Sequence, residues 1–154
     1  MSITINTKIN GHSVTAMADA STSLLEFLRD ILEMKGSKLC CNTGECGACT
    51  IIYNGKPINS CVTMAADANG AEITTIEGLA EGDKLHPVQQ AFIDTGAVQC
   101  GYCTPGFIMS VKALFDRTKK PTAQDIEEAI SGNICRCTGY NKIVDAIQLA
   151  AQKL

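Results

Sequence analysis

Eight of the nine cysteines in this 154-residue chain fall into two quartets, and each quartet has to be gathered to one place for its sulfurs to work together. Cys41, Cys46, Cys49 and Cys61 are spaced C-x4-C-x2-C-x11-C. Cys100 and Cys103 form a C-x2-C pair, and after a 31-residue gap Cys135 and Cys137 form a C-x-C pair. Any fold of this chain must therefore close two loops on sulfur.

A short cysteine-rich chain can be a secreted disulfide scaffold. The opening, MSITINTKINGHSV, alternates polar and apolar residues and has neither the basic start nor the apolar run of an export signal. The expectation is a cytoplasmic chain whose thiols stay reduced and bind metal. No stretch approaches the roughly 20 apolar residues that span a bilayer, so no membrane association is expected. Thirteen basic residues against 16 acidic ones give a net charge of −3 with no basic stripe, which excludes nucleic acid as a partner.

C-x4-C-x2-C is the spacing that wraps a loop around a [2Fe–2S] cluster in plant-type ferredoxins. Within CNTGECGAC, Gly44 and Gly47 supply the positive φ and the room for sulfur that such a loop needs. The second quartet alone also suits structural zinc, which paired cysteines hold at similar spacings. The neighbouring C-x4-C-x2-C turns the reading to iron, and visible absorption separates the two metals. Two four-thiolate sites in one chain suggest two redox centres in series. Cys40 does not fit the x4 spacing and reads as a small packing residue. His12 and His86 have no second ligand at metal spacing, and His86 reads as the cap of the helix that Pro87 opens.

Residues 1–78 have β character broken by one helix. Ile3, Ile5, Thr7 and Ile9 alternate with polar residues, Asn10-Gly11 turns the chain, and a second strand runs near Val14. Ser23 with Glu26 opens a helix carrying Leu24, Leu25, Phe27, Leu28, Ile31 and Leu32 and ending near Gly36. Thr50–Tyr53, Asn54-Gly55 and Lys56–Ile58 form another hairpin, and residues 71–76 a last strand. This arrangement matches a β-grasp. After a polar linker, residues 79–154 read as four helices, opened by His86-Pro87, Thr104-Pro105, Thr122 with Asp125, and Thr138. Cys103 and Cys137 each precede a cap, so two positive helix ends are expected to face the second site, with Gly101 and Gly139 giving close backbone approach. The fold class is α+β: a ferredoxin-like β-grasp domain followed by an all-α four-helix bundle. Two units this small are marginal on apolar burial alone, so loss of iron should unfold them.

The strings KLCCNTGECGACT, INSC, LHPVQQAF, GAVQCGYCTPGFIMS and SGNICRCTGYNKIVDAI resemble the iron–sulfur small subunit of the molybdenum hydroxylases, the xanthine dehydrogenase family, over nearly the whole chain. The resemblance implies that Cys41, Cys46, Cys49 and Cys61 ligate a ferredoxin-like [2Fe–2S] cluster. Cys100, Cys103, Cys135 and Cys137 match the ligands of a helical-domain cluster, and Gln99 and Cys137 match positions that touch a molybdopterin. It further implies a large molybdopterin-binding subunit, and either a medium FAD-binding subunit or a cytochrome as acceptor, in a dimer of heterotrimers. The chain stops soon after its last helix, so molybdenum and flavin are expected on separate polypeptides. In that family a carbon centre is hydroxylated with oxygen from water, and the small subunit passes the electrons on singly. A free-standing two-cluster ferredoxin is the alternative, and substrate identity lies outside this chain.

Overall fold

A computed structural model describes residues 1–154. Strands β1 (Ser2–Ile9), β2 (His12–Asp19), β3 (Thr50–Tyr53), β4 (Lys56–Asn59) and β5 (Glu72–Thr74) form one sheet in the order β2-β1-β5-β3-β4. β1 runs parallel to β5, and the other pairings are antiparallel. The two hairpins close on Asn10-Gly11 and Asn54-Gly55. All four of these residues have φ between 48° and 83°, the left-handed geometry that lets a two-residue turn follow the strand twist.

The alternation read along β1 is met by burial: Ile5, Thr7 and Ile9 are buried while Thr4, Asn6 and Lys8 are exposed. Ile5 and Ile9 pack with Ile51, Ile73, Leu24, Phe27 and Leu28 in one apolar cluster. The consecutive apolar run of β3 has a different cause. Ile51 belongs to that cluster, whereas Ile52 faces a second one built from helices, so β3 is buried on both faces.

The helices after residue 86 are α2 (Pro87–Asp94), α3 (Thr104–Arg117), α4 (Ala123–Ile130) and α5 (Asn141–Lys153). They bury Phe92, Phe107, Phe115, Ile126, Ile143 and Ile147 together. α2 packs on α5, and α3 lies against both α4 and β3. The molecule is thus a mixed structure in which a helical layer seats directly on the sheet.

Three expectations need correction. The helix from Ser23 does not reach Gly36. One α-turn, α1 (Leu24–Glu26), widens into a π-turn over Phe27–Ile31, closed by Leu32 N–H donating to the Phe27 carbonyl at 3.0 Å. Leu32 then leaves helical geometry and Glu33 turns left-handed with φ 57°. Thr138 does not cap the last helix, which begins at Asn141 with Tyr140 at its N-cap in the left-handed region. Likewise Thr104 is the first residue of α3, and Cys103 occupies its N-cap.

Candidate metal centres

The loop that carries Cys41, Cys46 and Cys49 has almost no secondary structure, so its shape depends on tethers from outside. The Arg29 guanidinium, on the π-turn, donates to the carbonyls of Lys35 (3.1 Å) and Ser37 (2.5 Å). Asn59 at the end of β4 donates to the Gly44 carbonyl at 2.6 Å. Within the loop Asn42, Gly44 and Gly47 take φ of 58°, 82° and 67°, which turn backbone N–H groups inward. Those of Thr43 and Cys46 each donate to Cys41 Sγ at 3.4 Å. The Thr43 hydroxyl, followed by these two amides, pulls the Cys41 thiol down to about 5. Cys61, on the turn after β4, faces Cys49. Burial first, and then the Cys49 thiol, push Cys61 up to about 12.

In the second quartet Cys100 Sγ and Cys137 Sγ lie 3.6 Å apart. A tetrahedral metal with thiolate bonds of about 2.3 Å separates two of its sulfurs by about 3.8 Å, so this spacing suits two thiolates on one metal atom and is far from a disulfide. Cys103 faces Cys135. Burial, and then that neighbour, push the Cys103 thiol up to about 12. Burial works against ionisation of Cys135 as well, but the Thr138 hydroxyl and amide and the Cys137 amide outweigh it and lower its pKa. Here lies the role of Thr138: its hydroxyl donates to Cys135 Sγ at 3.1 Å and its N–H at 3.4 Å. Of the two helix ends expected at this site, that of α3 is present, with Cys103 itself at the N-cap where Thr104 was expected. The other is replaced by a turn of backbone and hydroxyl donors.

No three cysteine, histidine or acidic side chains close around a single ion position. Thiol meets thiol in twos, Cys49 with Cys61, Cys100 with Cys137 and Cys103 with Cys135, while Cys46 adjoins both Cys41 and Cys40. Paired thiols suit a centre of two metal atoms, each taking two thiolates, better than one tetrahedral zinc ion taking four. Burial, and after it neighbouring thiols that cannot all ionise without a cation among them, keep Cys61 and Cys103 protonated. The donor set therefore fits a [2Fe–2S] cluster at either quartet.

The sites differ in exposure. Cys49, Cys61 and Cys135 are buried, Cys41, Cys46 and Cys103 partly so, while Gln99, Cys100 and Cys137 are exposed together. Cys40 is not the packing residue expected: it is exposed beside Cys46, whose thiol raises its pKa. His86 stands away from both quartets. Its Nδ1 accepts from Val88 N–H at 3.2 Å and Gln89 returns a bond to its amide, the capping role read from the sequence.

Several residues around the sites were not anticipated. The Tyr140 hydroxyl accepts from Cys135 N–H at 3.0 Å, and its ring meets Phe107 edge-on at 6.1 Å. The two quartets are also joined directly: Ile134 N–H donates to the Cys46 carbonyl at 2.9 Å, and Asn133 Nδ2 to the Gly47 carbonyl at 3.0 Å. Asn133 and Ile134 lie next to Cys135 in NIC, a sequence that reads only as loop.

Comparison with known proteins meets the same chemistry. A family model described as "2Fe-2S iron-sulfur cluster binding domain" matches residues 4–95, and one described as "[2Fe-2S] binding domain" matches residues 75–148. The nicotinate dehydrogenase small FeS subunit of Eubacterium barkeri is 46% identical over 151 residues, covering 98% of this chain and 96% of its own. One of the subunits of a probable xanthine dehydrogenase of Bacillus subtilis (strain 168) is 48% identical over 136 residues, covering 88% and 78%. The crystal structure of quinoline 2-oxidoreductase from Pseudomonas putida 86 superposes with a TM-score of 0.94 at 37% identity, covering 98% of this chain and 94% of the matched one.

Proposed function

The chain belongs to the iron–sulfur small subunits of the xanthine dehydrogenase family of molybdenum hydroxylases, and from that premise we propose that it is the electron relay of such an enzyme, holding two [2Fe–2S] clusters between a molybdopterin centre and an acceptor on partner subunits. Residues 1–78 are the β-grasp, ferredoxin-like domain and residues 79–154 the four-helix domain. Cys41, Cys46, Cys49 and Cys61 hold one cluster, and Cys100, Cys103, Cys135 and Cys137 the other. What a bound [2Fe–2S] cluster supplies is a buried one-electron couple.

The observation that carries the reading is the one-sided exposure of the second quartet. Cys100 and Cys137 reach the surface together, with Gln99 beside them, while Cys103 and Cys135 stay within. A relay needs one open edge facing its donor and protein around the remainder to keep water and stray oxidants out. Gln99 and Cys137 provide that edge for the molybdopterin on the large subunit. Backbone amides and the Thr138 hydroxyl, aimed at Cys41 and Cys135, stabilise the negative charge that thiolate ligation gathers there and so set the potential. Cys41 and Cys46, part-exposed on the other site, face the onward acceptor, a medium FAD subunit or a cytochrome.

The assembly expected is a cytoplasmic dimer of heterotrimers. Native purification tests it. The chain should elute in a large complex with molybdenum and a larger subunit in equimolar amount. Elution alone, free of molybdenum yet reducible by unrelated reductases, would instead make it a free-standing ferredoxin.

A further inference from the structure

A buried carboxamide is costly unless both of its ends find partners. Asn133 is only 4% exposed, and its partners come from three different elements. Its Nδ2 donates to the Gly47 carbonyl at 3.0 Å and to Thr50 Oγ1 at 3.4 Å, and its Oδ1 accepts from Ser110 Oγ on α3 at 2.7 Å. Gly47 lies between Cys46 and Cys49, and Asn133 lies two residues before Cys135. The Gly47 carbonyl also accepts from Thr50 N–H at 3.1 Å and Thr50 Oγ1 at 2.7 Å, so it is held from both sides.

The packing at this point admits no slack. A Cβ on Gly47 would sit 2.3 Å from the Gly132 carbonyl oxygen and 2.4 Å from Asn133 Nδ2. A Cβ on Gly106, three residues after Cys103, would sit 2.1 Å from the Gly47 oxygen. The loop of the first quartet is thereby pressed against segments adjoining both halves of the second. Ser110 decides which way the amide faces, because a hydroxyl given to Oδ1 leaves Nδ2 for Gly47.

We propose that Asn133 is a positioning residue for electron passage, its carboxamide fixing the separation and orientation of the two cysteine sets by clamping Gly47 to the strand of chain that leads into Cys135. This rests on the two-cluster reading above. With clusters bound, passage of one electron would oxidise the centre held by the second quartet and reduce the centre held by the first by the same one electron. No bond is made or broken in the clamp and no proton moves through it. The rate of such a transfer falls steeply with distance, so a displacement too small to unfold the protein is felt as a kinetic and magnetic change.

The test uses the purified holocomplex carrying Asn133→Asp or Ser110→Ala. The aspartate keeps the shape of the side chain but sets an acceptor against the Gly47 carbonyl, and the serine change removes only the bond that orients the amide. Fully reduced with dithionite, the variants should retain four irons per chain and both EPR signals. The spin–spin splitting between the two centres should change, and freeze-quench equilibration between them should slow measurably. Should Asn133→Asp lose iron, Ser110→Ala decides the matter. Full iron content with the wild-type splitting and wild-type equilibration rate in Ser110→Ala and in any iron-replete Asn133→Asp overturns the clamp. A wild-type complex without two magnetically interacting signals overturns the two-cluster reading instead.

Discussion

Cys103 and Cys137 make different demands on their surroundings although each is one of four. Cys103 sits at the start of α3 with its thiol pushed up by burial, and Cys137 is exposed 3.6 Å from Cys100. Replacing either by serine removes a soft thiolate, and the expected result is loss of one of the two EPR signals with the signal of the first quartet intact. Both signals at full intensity in either variant would remove that cysteine from the ligand set. Gln99 is exposed beside Cys100 and belongs to neither quartet, so Gln99→Ala should leave both centres assembled. In stopped flow with the holoenzyme, reduction of the centres by substrate should slow, and an unchanged rate would dismiss the contact with the pterin. Thr138 shows how a side chain can be misread at this scale. Followed by Gly139-Tyr140, it has the composition of a helix cap, yet its hydroxyl goes to the Cys135 sulfur, a use that competes with capping and leaves no mark in hydropathy.

At the scale of elements, α2 depends on a cap that titrates. His86 Nδ1 can accept from Val88 N–H only while unprotonated. Burial, and then repulsion from the Lys112 ammonium, lower its pKa against the smaller opposing pull of Asp116. In the unfolded chain the imidazole protonates near pH 6.5, so below that pH the unfolded state binds more protons and stability falls. The cap contributes fully above about pH 6.5. Its contribution is lost as the pH drops from there toward the lowered folded value. Denaturant midpoints between pH 5 and 8 should therefore fall more steeply on the acid side for wild type than for His86→Asn, which caps without titrating; parallel curves would refute it. The two Asn-Gly hairpins, the Ser23 and Thr122 capping boxes and the His86 cap were all legible in the sequence because their physics lies within four residues. The π-turn after Glu26 was not. The stripe of Leu24, Leu25, Phe27, Leu28 and Ile31 serves either helix geometry, and the choice is tied to Arg29 reaching over to Lys35 and Ser37. Asn133 was equally hidden, since its partners are 23 and more residues away in the chain.

Across the whole molecule, two apolar clusters of 11 and 20 buried residues meet at β3, where Ile51 belongs to one and Ile52 to the other. Under the proposed ligation each quartet would close a loop of chain, which by the chain-entropy model of crosslinks would stabilise the folded state by about 3–4 kcal/mol. Anaerobic chelation of iron should lower the denaturation midpoint of the whole chain, not of one half, because Asn133, Ile134 and Gly106 couple the two loops. A midpoint insensitive to iron removal would show that apolar burial alone suffices. Reductive titration of the anaerobic holocomplex, followed by EPR and by iron and sulfide analysis of this chain, tests the relay of two one-electron centres most directly. Two electrons taken up by this chain, two distinct rhombic signals, and four irons with four acid-labile sulfides support it. One signal with two irons, or zinc at either quartet, would refute it.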